Sequence, residues 1–310
     1  MSRAAGRMVS RAGSSTRASI GGRELSISNL DKVFYPETGF TKGQLIDYYV
    51  RIADAMLPHI KERPLTMRRF PNGVDGKSFF EKHVPSHAPD WVRTITVPSM
   101  DGHDDISYTM ANDVPTLAWA ANLGNIEFHV PLWHVGRRLK LPANPDFMVF
   151  DLDPGEGASI VECCVVAGYI TDELERSGTP SFAKTSGSKG LQLYAPAGAK
   201  STWDSVRNRA YDIALKLESD HRDLVVSNMR KSLRHGRVLI DWSQNHPAKT
   251  TVAVYSVRAR PRPTVSTPVT AEEVQRCATR KKAQVLTFET SEVLRRVEQH
   301  GDLFAPLGTA

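Results

Sequence analysis

An apolar run that ends in two aspartates and a Pro-Gly break, FMVFDLDPGEG at 147–157, constrains the fold of this chain more than any other stretch. Side chains alternate between the two faces of a strand, so Asp151 and Asp153 lie on one face and Leu152 lies on the other. Two like charges this close repel each other unless a positive group lies between them. The run therefore predicts a strand that ends in a binding site for a positively charged group.

Helix and strand signals are mixed along the rest of the chain. Capping boxes predict helices that begin after Thr41, Ser159 and Thr270, because each of these residues is followed three positions later by Gln or Glu. Further helices are predicted at 203–218 and 291–300, and strands at 126–130, 146–151, 191–195, 238–242 and 251–255. The mixture lacks a strict strand-helix-strand rhythm, which predicts an α+β (mixed α/β) fold with mainly antiparallel or mixed sheets flanked by helices.

Composition narrows the class of protein. The chain has 310 residues, of which 40% are hydrophobic, and this is enough for a sizeable core. No apolar run reaches the roughly 18 to 20 residues that a membrane helix needs, so no membrane partner is expected. The three cysteines show no metal-binding spacing, which fits a reducing, cytoplasmic location.

Basic residues are unevenly distributed. The net charge is +6, and basic clusters such as the one at 230–237 favour a polyanion, such as nucleic acid, as the partner. Residues 1–22 contain arginines but no acidic residue among Ser, Ala and Gly, and this composition predicts a disordered basic tail. The remaining residues, 23–310, are predicted to form a single catalytic domain.

A third carboxylate, Asp241 in VLIDWSQN, lies in another short β-rich run. If its strand neighbours the first one, Asp151, Asp153 and Asp241 converge and can bind two divalent metal ions through hard oxygen ligands. That arrangement suits phosphoryl or nucleotidyl transfer. Two alternatives stay open: Asp153 only starts a turn into Pro154, and Asp241 only caps a helix or forms a surface ion pair.

The DLDPGEG segment is also similar to the opening motif of haloacid-dehalogenase-type phosphatases, in which the first aspartate is the nucleophile. A metal-dependent phosphatase that uses Asp151 in this way is therefore one alternative. Against it, Pro154 and Gly155 replace the Gly-Thr turn of that family, and the late GDLF at 301–304 lacks the acidic pair that should follow. A non-catalytic DNA-end binding module with a decayed site is a further alternative, which the presence of all three aspartates disfavours.

Three shorter stretches indicate where an anion or a base would lie. TSGSKG at 185–190 combines small residues, two glycines and Lys189, a composition typical of loops that cradle phosphate, although a plain flexible turn is an alternative. His129 lies on the polar face of the strand IEFHV, where it either reaches a ligand or forms an ordinary internal contact. Phe79 and Phe80 form either part of the core or a platform on which bases stack.

Four segments, DLDPGEG, TSGSKGLQLY, KSLRHGRVLIDWSQN and RPLTMRRFPNGVDGKSFFEKH, together resemble the polymerase (primase-polymerase) domain of bacterial non-homologous end-joining ligase D, in the archaeo-eukaryotic primase superfamily. The resemblance extends from about Leu25 to Leu307 and keeps the motifs in the order of the family. It implies a primase-polymerase-type catalytic core. In that core, Asp151, Asp153 and Asp241 are the catalytic residues and the ligands of two Mn²⁺ or Mg²⁺ ions.

The resemblance also assigns two sets of binding residues. The residues that match nucleotide-binding positions are His129, Ser186, Lys189, Arg234, Phe79, Phe80, Arg69, Lys82, Gln244 and Arg258. Those that match a pocket for a DNA 5′-phosphate are Asn29, Lys32 and Lys42, for which surface lysines near a helix are the plainer interpretation. Arg68 takes a place where relatives often have lysine, so a basic side chain is retained there.

The resemblance further implies a template-dependent DNA/RNA nucleotidyltransferase that extends a 3′-hydroxyl at gaps or double-strand break ends and prefers ribonucleotides. The implied partners are gapped duplex DNA or 3′-overhang ends, nucleoside triphosphates, Ku and a separate DNA ligase, in the bacterial cytoplasm at the nucleoid. The chain lacks a Lys-x-Asp-Gly ligase motif. We therefore expect either a part of a larger protein or a stand-alone polymerase that recruits its ligase, and the basic tail favours the second.

Overall fold

The computed structural model describes residues 15–98, 104–136 and 141–309. Its strands are β1 (Ser15–Ile20), β2 (Arg23–Ser28), β3 (Val33–Tyr35), β4 (Phe40–Thr41), β5 (Thr66–Arg69), β6 (Phe79–Glu81), β7 (Thr94–Val97), β8 (Ile106–Thr109), β9 (Asn125–Val130), β10 (Phe147–Pro154), β11 (Phe182–Thr185), β12 (Leu191–Pro196), β13 (Val225–Val226), β14 (Val238–Asp241), β15 (Thr251–Val252) and β16 (Pro268–Val269). Its α-helices are α1 (Lys42–Arg51), α2 (Ala53–Ile60), α3 (Val114–Asn122), α4 (Ile160–Arg176), α5 (Trp203–Asp220), α6 (Ala271–Arg280) and α7 (Thr290–His300).

The largest sheet has six strands in the order β13-β14-β10-β12-β11-β16. Neighbouring strands pair antiparallel except β13 and β14, which run parallel. β10 lies inside this sheet, and α4 and α5 both pack on it. Its residues Met148, Val149, Phe150 and Leu152 are therefore almost fully buried, which explains the continuous apolar run that precedes Asp151.

A second sheet has four strands in the order β15-β9-β5-β6, and all of its pairs are antiparallel. Polar contacts join it to the six-stranded sheet. The hydroxyls of Tyr194 and Thr251 lie 2.9 Å apart, and the ammonium of Lys184 donates to the carbonyl of Val252 at 3.1 Å. The two sheets therefore meet along a boundary that contains polar groups as well as core side chains.

The first hairpin corrects the predicted tail. β1 pairs with β2 in antiparallel register, and Gly21 and Gly22 connect them with φ angles of +54° and +77°. A two-residue turn of this kind matches the twist of a hairpin, and glycine adopts positive φ without strain. The predicted disordered tail 1–22 is therefore wrong for residues 15–22, and residues 1–14 of that prediction lie outside the described residues.

Most other predictions of secondary structure are confirmed. The capping boxes that begin at Thr41, Ser159 and Thr270 are all formed, at the starts of α1, α4 and α6. The helices predicted at 203–218 and 291–300 are α5 and α7. The strand predicted at 251–255 stops at Val252, because the chain turns at Tyr255 with a φ of 64°. The mixed α/β fold with mainly antiparallel sheets and flanking helices is confirmed.

None of the helices in the described part of the chain combines the length and the apolar character that a bilayer crossing requires. Buried apolar residues from both large sheets and from α1 to α7 form one hydrophobic cluster. This cluster supports the ends of β9, β10 and β14, where the predicted site residues lie.

Candidate active site

Strand pairing brings the three aspartates to one end of β10. Asp151 lies directly opposite Asp241 on β14, and Asp153 lies two residues further along β10 on the same face. Burial and the charges of Asp153 and Asp241 raise the pKa of Asp151 to about 7. Partial burial and the charge of Asp241 also raise the pKa of Asp153 above its ordinary value. The three carboxylates therefore crowd one another at the position where the sequence predicts a binding site.

The Pro-Gly break brings a positive group to these aspartates. Gly155 packs so closely on Arg234 that an added Cβ would lie 1.8 Å from the Arg234 carbonyl oxygen. The Gly155 N–H donates to the carbonyl of Arg237 at 2.8 Å, which holds the two loops together. The charge of Arg234 opposes the rise in the pKa of Asp153. Arg234 is thus one of the positive partners that the aspartate pair requires.

A second positive group reaches Asp151 through the sheet. Lys184 on β11 lies opposite Gln192 on β12, and Gln192 lies opposite Asp151 on β10. Lys184 is almost fully buried, and its ammonium donates to Gln192 at 2.6 Å and to the hydroxyl of Ser266 at 2.7 Å. Burial lowers the pKa of Lys184 to about 7, although the charge of Asp151 acts in the opposite direction. Neither Lys184 nor Gln192 is among the predicted site residues, yet each is a polar residue at a buried strand position.

The donor chemistry of the three aspartates fits a divalent cation of the Mg²⁺ or Mn²⁺ type, because these ions prefer carboxylate oxygens. Asp241 is also engaged elsewhere: its Oδ1 accepts from the N–H of Ser243 at 2.9 Å and from the Ser243 hydroxyl at 2.6 Å. It thereby caps the 3₁₀ helix Trp242–Gln244, which is the role that the helix-cap alternative predicted for Asp241.

Within the described ranges, no three His, Cys, Asp or Glu side chains are already arranged to hold a metal ion. The pairing of β10 with β14 nevertheless places the backbone positions of Asp151, Asp153 and Asp241 at one end of the sheet.

The predicted phosphate loop, residues 185–190, connects β11 to β12 beside the aspartates. The Oγ of Ser186 accepts from the backbone N–H groups of Ser188 at 3.2 Å and Gly190 at 3.1 Å, which folds the loop on itself. Gly190 packs on β10, where an added Cβ would lie 2.2 Å from the Leu152 carbonyl oxygen. Lys189 is exposed on this loop. The loop is therefore an ordered turn held next to Asp151 and Asp153, with a cation available to solvent.

His129 belongs to a buried charged cluster on the four-stranded sheet. Its Nε2 lies 2.9 Å from the Oε2 of Glu127, whose side chain is only 1% exposed. Because a carboxylate only accepts hydrogen bonds, the imidazole donates through Nε2. The Nε of Arg258 lies 3.2 Å from the Oε1 of Glu127, and the Nη1 of Arg258 donates to the carbonyl of Ser186. Arg258 thus joins this cluster to the phosphate loop and brings His129, Ser186 and Arg258 together.

The two phenylalanines of β6 lie on the surface. Phe79 is 45% exposed and Phe80 is 59% exposed, so the alternative that they belong to the core is wrong. The guanidinium carbon of Arg69 lies 5.2 Å from the centre of the Phe79 ring, and that of Arg68 lies 5.4 Å from the centre of the Phe80 ring. The ring of His129 is 5.7 Å from that of Phe80. Exposed aromatic rings beside basic residues are typical of surfaces on which nucleic-acid bases stack.

The remaining two predicted nucleotide-binding residues lie in different surroundings. Gln244 donates to the Oδ2 of Asp241 at 3.1 Å and so adjoins the aspartates. Lys82 follows β6 and is exposed. It lines a pocket of about 210 Å³ with Tyr108, Trp133 and other mainly apolar residues. Lys82 therefore faces a mainly apolar pocket, in contrast to the charged surroundings of His129.

The three predicted 5′-phosphate residues lie together at the start of α1. The N–H of Lys32 donates to the carbonyl of Asn29 at 3.1 Å, and the N–H of Lys42 donates to the carbonyl of Lys32 at 2.8 Å. The ammonium of Lys42 is buried and donates to the carbonyl of Ser28 at 2.7 Å. Burial and the charge of Lys32 lower the pKa of Lys42 to about 8. The ammonium of Lys32 donates to the carbonyl of Pro71 and to Oδ1 of Asn72, each at 2.7 Å, so two cations lie near each other beside the start of α1.

Comparisons with known proteins agree with this geometry. A family model for the LigD primase-polymerase domain matches residues 41–304. The chain is 41% identical over 281 residues to the multifunctional non-homologous end joining protein LigD of Mycolicibacterium smegmatis, covering 91% of this chain and 36% of that protein. It is 30% identical over 279 residues to the bifunctional non-homologous end joining protein LigD of Bacillus subtilis, covering 90% of this chain and 43% of that protein.

A solved structure is similar over nearly its whole length. The polymerase domain from Mycobacterium tuberculosis ligase D in complex with DNA matches this chain with a TM-score of 0.86 and 39% sequence identity, covering 92% of this chain and 98% of that one. The chain thus spans about a third to two fifths of the length of the LigD proteins described above, and it covers almost all of the M. tuberculosis polymerase domain. The chain therefore belongs to the LigD primase-polymerase domain family, whose members are nucleotidyltransferases of the primase-polymerase type.

Proposed function

We propose that this chain adds nucleotides to a primer 3′-hydroxyl in a template-dependent manner at gaps or double-strand break ends, with a preference for ribonucleotides. The observation that carries the proposal is the direct opposition of Asp151 and Asp241 on β10 and β14, with Asp153 beside them. A loop of the phosphate-binding type, 185–190, packs on the same strand. Carboxylates next to phosphate-binding groups are what a protein needs to exchange a phosphorus–oxygen bond.

Asp151, Asp153 and Asp241 would hold two Mn²⁺ or Mg²⁺ ions. Bound ions of this kind stabilise the attacking and the leaving oxygen of a phosphoryl transfer. The raised pKa values of Asp151 and Asp153 support this assignment, because they reflect burial and mutual repulsion, both of which bound cations would offset. Lys184 acts through Gln192 to keep the Asp151 carboxylate oriented toward Asp241.

The triphosphate of the incoming nucleotide would lie along the phosphate loop. Arg234 beside Asp153, Arg258 at the Ser186 carbonyl and the exposed Lys189 surround this position with positive charge. Prearranged cations of this kind stabilise the negative charge that accumulates on departing pyrophosphate. His129, whose ring is held by Glu127, would contact the phosphate or sugar of the same nucleotide.

The base and its template partner would lie against Phe79 and Phe80. Stacking on exposed rings tolerates every base, which suits a polymerase whose sequence is dictated by a template. The guanidinium of Arg69 lies 5.2 Å from the Phe79 ring, and Gln244, which donates to Asp241, would add a polar contact to the nucleotide. Lys82 would reach the nucleotide from the edge of its mainly apolar pocket.

Asn29, Lys32 and Lys42 would bind the 5′-phosphate on the downstream side of a gap. The buried ammonium of Lys42 and its neighbour Lys32 support this role, because an anion would relieve their repulsion. DNA as the partner is supported by the similar mycobacterial polymerase domain, which is described in complex with DNA.

The relatives are named as non-homologous end joining proteins, and we place this chain in the same process. It would act in the bacterial cytoplasm at the nucleoid, together with a Ku-type end-binding protein and a DNA ligase. Gapped duplexes and 3′-overhang ends are the substrates that fit a site with both a 3′-hydroxyl position and a 5′-phosphate pocket.

Primer extension on a 5′-phosphorylated gapped duplex with Mn²⁺, with ribonucleotides compared to deoxyribonucleotides, tests the proposal. We expect template-directed addition that is faster with ribonucleotides and more efficient than on the same gap with a 5′-hydroxyl. Absence of incorporation with either sugar would overturn the proposal. In that case, phosphate release from p-nitrophenyl phosphate without DNA would indicate the phosphatase alternative, and DNA binding without turnover would indicate the non-catalytic module.

A further inference from the structure

Glu127 is a carboxylate in an unusual position for an acidic residue. Its side chain is 1% exposed, in the middle of β9. Burial raises the pKa of Glu127, but the hydrogen bond with His129 and the charge of Arg258 outweigh burial and hold that pKa well below its ordinary value. Glu127 is therefore ionised, and its negative charge lies among basic side chains.

Every polar contact of Glu127 leads to a residue at the proposed nucleotide site or next to one. The Nε2 of His129 lies 2.9 Å from its Oε2, and the Nε of Arg258 lies 3.2 Å from its Oε1. The Nη1 of Arg68 donates to both oxygens at 3.3 Å, and the backbone N–H of Ala259 donates to Oε1 at 2.9 Å. One carboxylate thus joins β5, β9 and the segment that contains Arg258.

These contacts extend to the surfaces where substrate would lie. Arg258 donates to the carbonyl of Ser186 on the phosphate loop. The guanidinium of Arg68 lies between two rings, 5.1 Å from Phe70 and 5.4 Å from the exposed Phe80. Glu127 is too deeply buried to touch a substrate itself, so any effect on the reaction must act through these neighbours.

The backbone on the far side of Arg258 is fixed by two buried tyrosines. The hydroxyl of Tyr49 accepts from the N–H of Val257 at 2.9 Å, and the hydroxyl of Tyr35 donates to the carbonyl of Arg258 at 2.9 Å. With the backbone held in this way, the side chain of Arg258 is restrained by the carboxylate of Glu127 at its Nε and by the carbonyl of Ser186 at its Nη1.

A contribution to stability alone does not explain this arrangement. Replacing a buried ion pair by apolar side chains of similar volume often leaves stability unchanged or increases it, because desolvation offsets the attraction between the charges. Two guanidinium groups and one imidazole that converge on a single carboxylate are instead the arrangement expected where a site must hold its ligand-binding side chains in one geometry.

We propose that Glu127 is a positioning residue for nucleotide binding, which holds His129, Arg258 and Arg68 in the geometry that receives the triphosphate and base of the incoming nucleotide. This inference rests on the proposed function. Because the carboxylate accepts from Nε2 of His129 and burial lowers the pKa of this histidine, the neutral ring has an acceptor at Nδ1, which suits a hydroxyl group of the nucleotide sugar.

The test compares Glu127→Gln with Glu273→Gln in the whole chain. Glu273 is a matched control, because its carboxylate pairs with Arg296 at 2.6 and 2.8 Å on the distant α6 and also belongs to a capping box. For each variant, the KM for ribonucleotide on a gapped duplex, the Kd of a fluorescent ATP analogue with Mn²⁺, the Kd of the gapped DNA and the melting temperature are measured.

For Glu127→Gln we expect a rise of about 10- to 100-fold in the nucleotide KM and in the Kd of the ATP analogue. The Kd of the DNA should stay within about twofold of the wild-type value, and the nucleotide KM of Glu273→Gln should be unchanged. The melting temperature should fall further in Glu127→Gln than in Glu273→Gln, because Glu127 is 1% exposed and its loss leaves partly buried guanidinium groups unpaired, so both constants are measured at a temperature at which circular dichroism shows the variants folded. A nucleotide KM and a Kd of the analogue within about twofold of wild type would overturn the inference.

Where Glu127→Gln fails to fold, Glu127→Asp decides the question, because it keeps the charge but draws the carboxylate back by one methylene group. A raised nucleotide KM in this variant supports the inference, and an unchanged one refutes it. The failure of the proposed function and the failure of the inference on Glu127 give different results. Wild-type protein that binds the ATP analogue but incorporates no nucleotide refutes the proposed function. In that case, the Kd of the analogue in the variants still tests the role of Glu127.

Discussion

Asp151 and Asp241 lie directly opposite each other on the antiparallel strands β10 and β14, although long segments of chain separate them. Directly opposed residues in an antiparallel pair have their Cβ atoms about 5 Å apart. Two carboxylates at that spacing destabilise the sheet, and Asp153 adds a third negative charge on the same face. The pairing is therefore explained best by a function that uses the negative charge, and each of the following predictions tests a part of that explanation.

The first prediction concerns Gly155→Ala. The added Cβ would lie 1.8 Å from the Arg234 carbonyl oxygen, so the turn after Asp153 must separate from the loop that carries Arg234. We expect a loss of about 1–3 kcal/mol of unfolding free energy and a marked fall in nucleotide incorporation. Gly168→Ala on α4 is the control, because nothing lies within 4 Å of its added Cβ, and it should stabilise the protein by roughly 0.5–1 kcal/mol. Full activity in Gly155→Ala would contradict the placement of Arg234 in the site.

The second prediction concerns Phe80→Ala. Because the ring is 59% exposed, its loss should change the unfolding free energy by no more than about 0.5 kcal/mol. Loss of base stacking should nevertheless weaken binding of the nucleotide and template by about 1–3 kcal/mol. The fully buried Phe128 is the contrasting position, where Phe128→Ala should cost about 3–5 kcal/mol of stability. Chemical denaturation and nucleotide titration on a primed template measure the two effects, and unchanged nucleotide binding in Phe80→Ala would refute the stacking role.

The third prediction concerns Lys32→Ala. Its ammonium donates to the Pro71 carbonyl and to Oδ1 of Asn72 at 2.7 Å, and its charge acts on the buried ammonium of Lys42. Removal of this charge should weaken binding of a 5′-phosphorylated gap by roughly tenfold while leaving the 5′-hydroxyl gap nearly unaffected. Fluorescence anisotropy with the two duplexes measures this difference. The exposed Lys61 provides the control, because Lys61→Ala should change both affinities equally and only slightly. An equal loss on both duplexes in Lys32→Ala would contradict the phosphate pocket.

The fourth prediction concerns the C-terminal segment, which Asp302 anchors. Its Oδ2 lies 2.6 Å from the Nε2 of His59, and its Oδ1 accepts from the hydroxyl of Tyr255 at 2.8 Å. Burial raises the pKa of Asp302, but the contacts with His59 and Tyr255 outweigh burial and hold that pKa below its ordinary value. A carboxyl group with a depressed pKa stabilises the fold above its unfolded-state pKa of about 3.9 and loses this contribution as pH falls below that value.

Thermal unfolding of Asp302→Asn checks this prediction. The variant should lose about 1–3 kcal/mol of stability at pH 7, and the difference from the wild type should shrink as pH falls below about 4. Asp220→Asn removes an exposed ion pair with Lys216 and should cost less than about 1 kcal/mol. A difference between Asp302→Asn and the wild type that stays constant from pH 7 to pH 3 would show that the charge of Asp302 does not stabilise the anchor.

The parts of the fold that the sequence predicts correctly depend on local interactions. A capping box needs only two residues three positions apart, so the starts of α1, α4 and α6 can be predicted from the sequence. Helix α3 cannot be predicted in this way. Seven of the nine residues in VPTLAWAAN are buried, so its apolar residues do not repeat with the period that marks one face of a helix. The hairpin at 15–28 carries a recognisable signal, Gly21-Gly22, that the basic composition of the segment obscures.

The residues of the candidate site likewise fall into those that the sequence predicts and those that it does not. The alternation in FMVFDLDP predicts that Asp151 and Asp153 share a face, and the β-rich run around Asp241 predicts a further strand. Only the pairing of β10 with β14 shows that the two strands are neighbours. Glu127 and Lys184 cannot be recognised as site residues from their own segments. Their partners come from distant strands and loops, so only the register of the two sheets brings those partners together.

The central claim is that Asp241 acts through its charge, and Asp241→Asn tests it most directly. Asparagine is as good a cap as aspartate, so the variant should keep the 3₁₀ helix Trp242–Gln244 and fold normally. On a 5′-phosphorylated gapped duplex with Mn²⁺, we expect incorporation to fall about 100-fold or more while DNA affinity stays unchanged, and Asp172→Asn on α4 should behave as wild type. Wild-type incorporation by Asp241→Asn would show that Asp241 is only a helix cap and would contradict the proposed polymerase site.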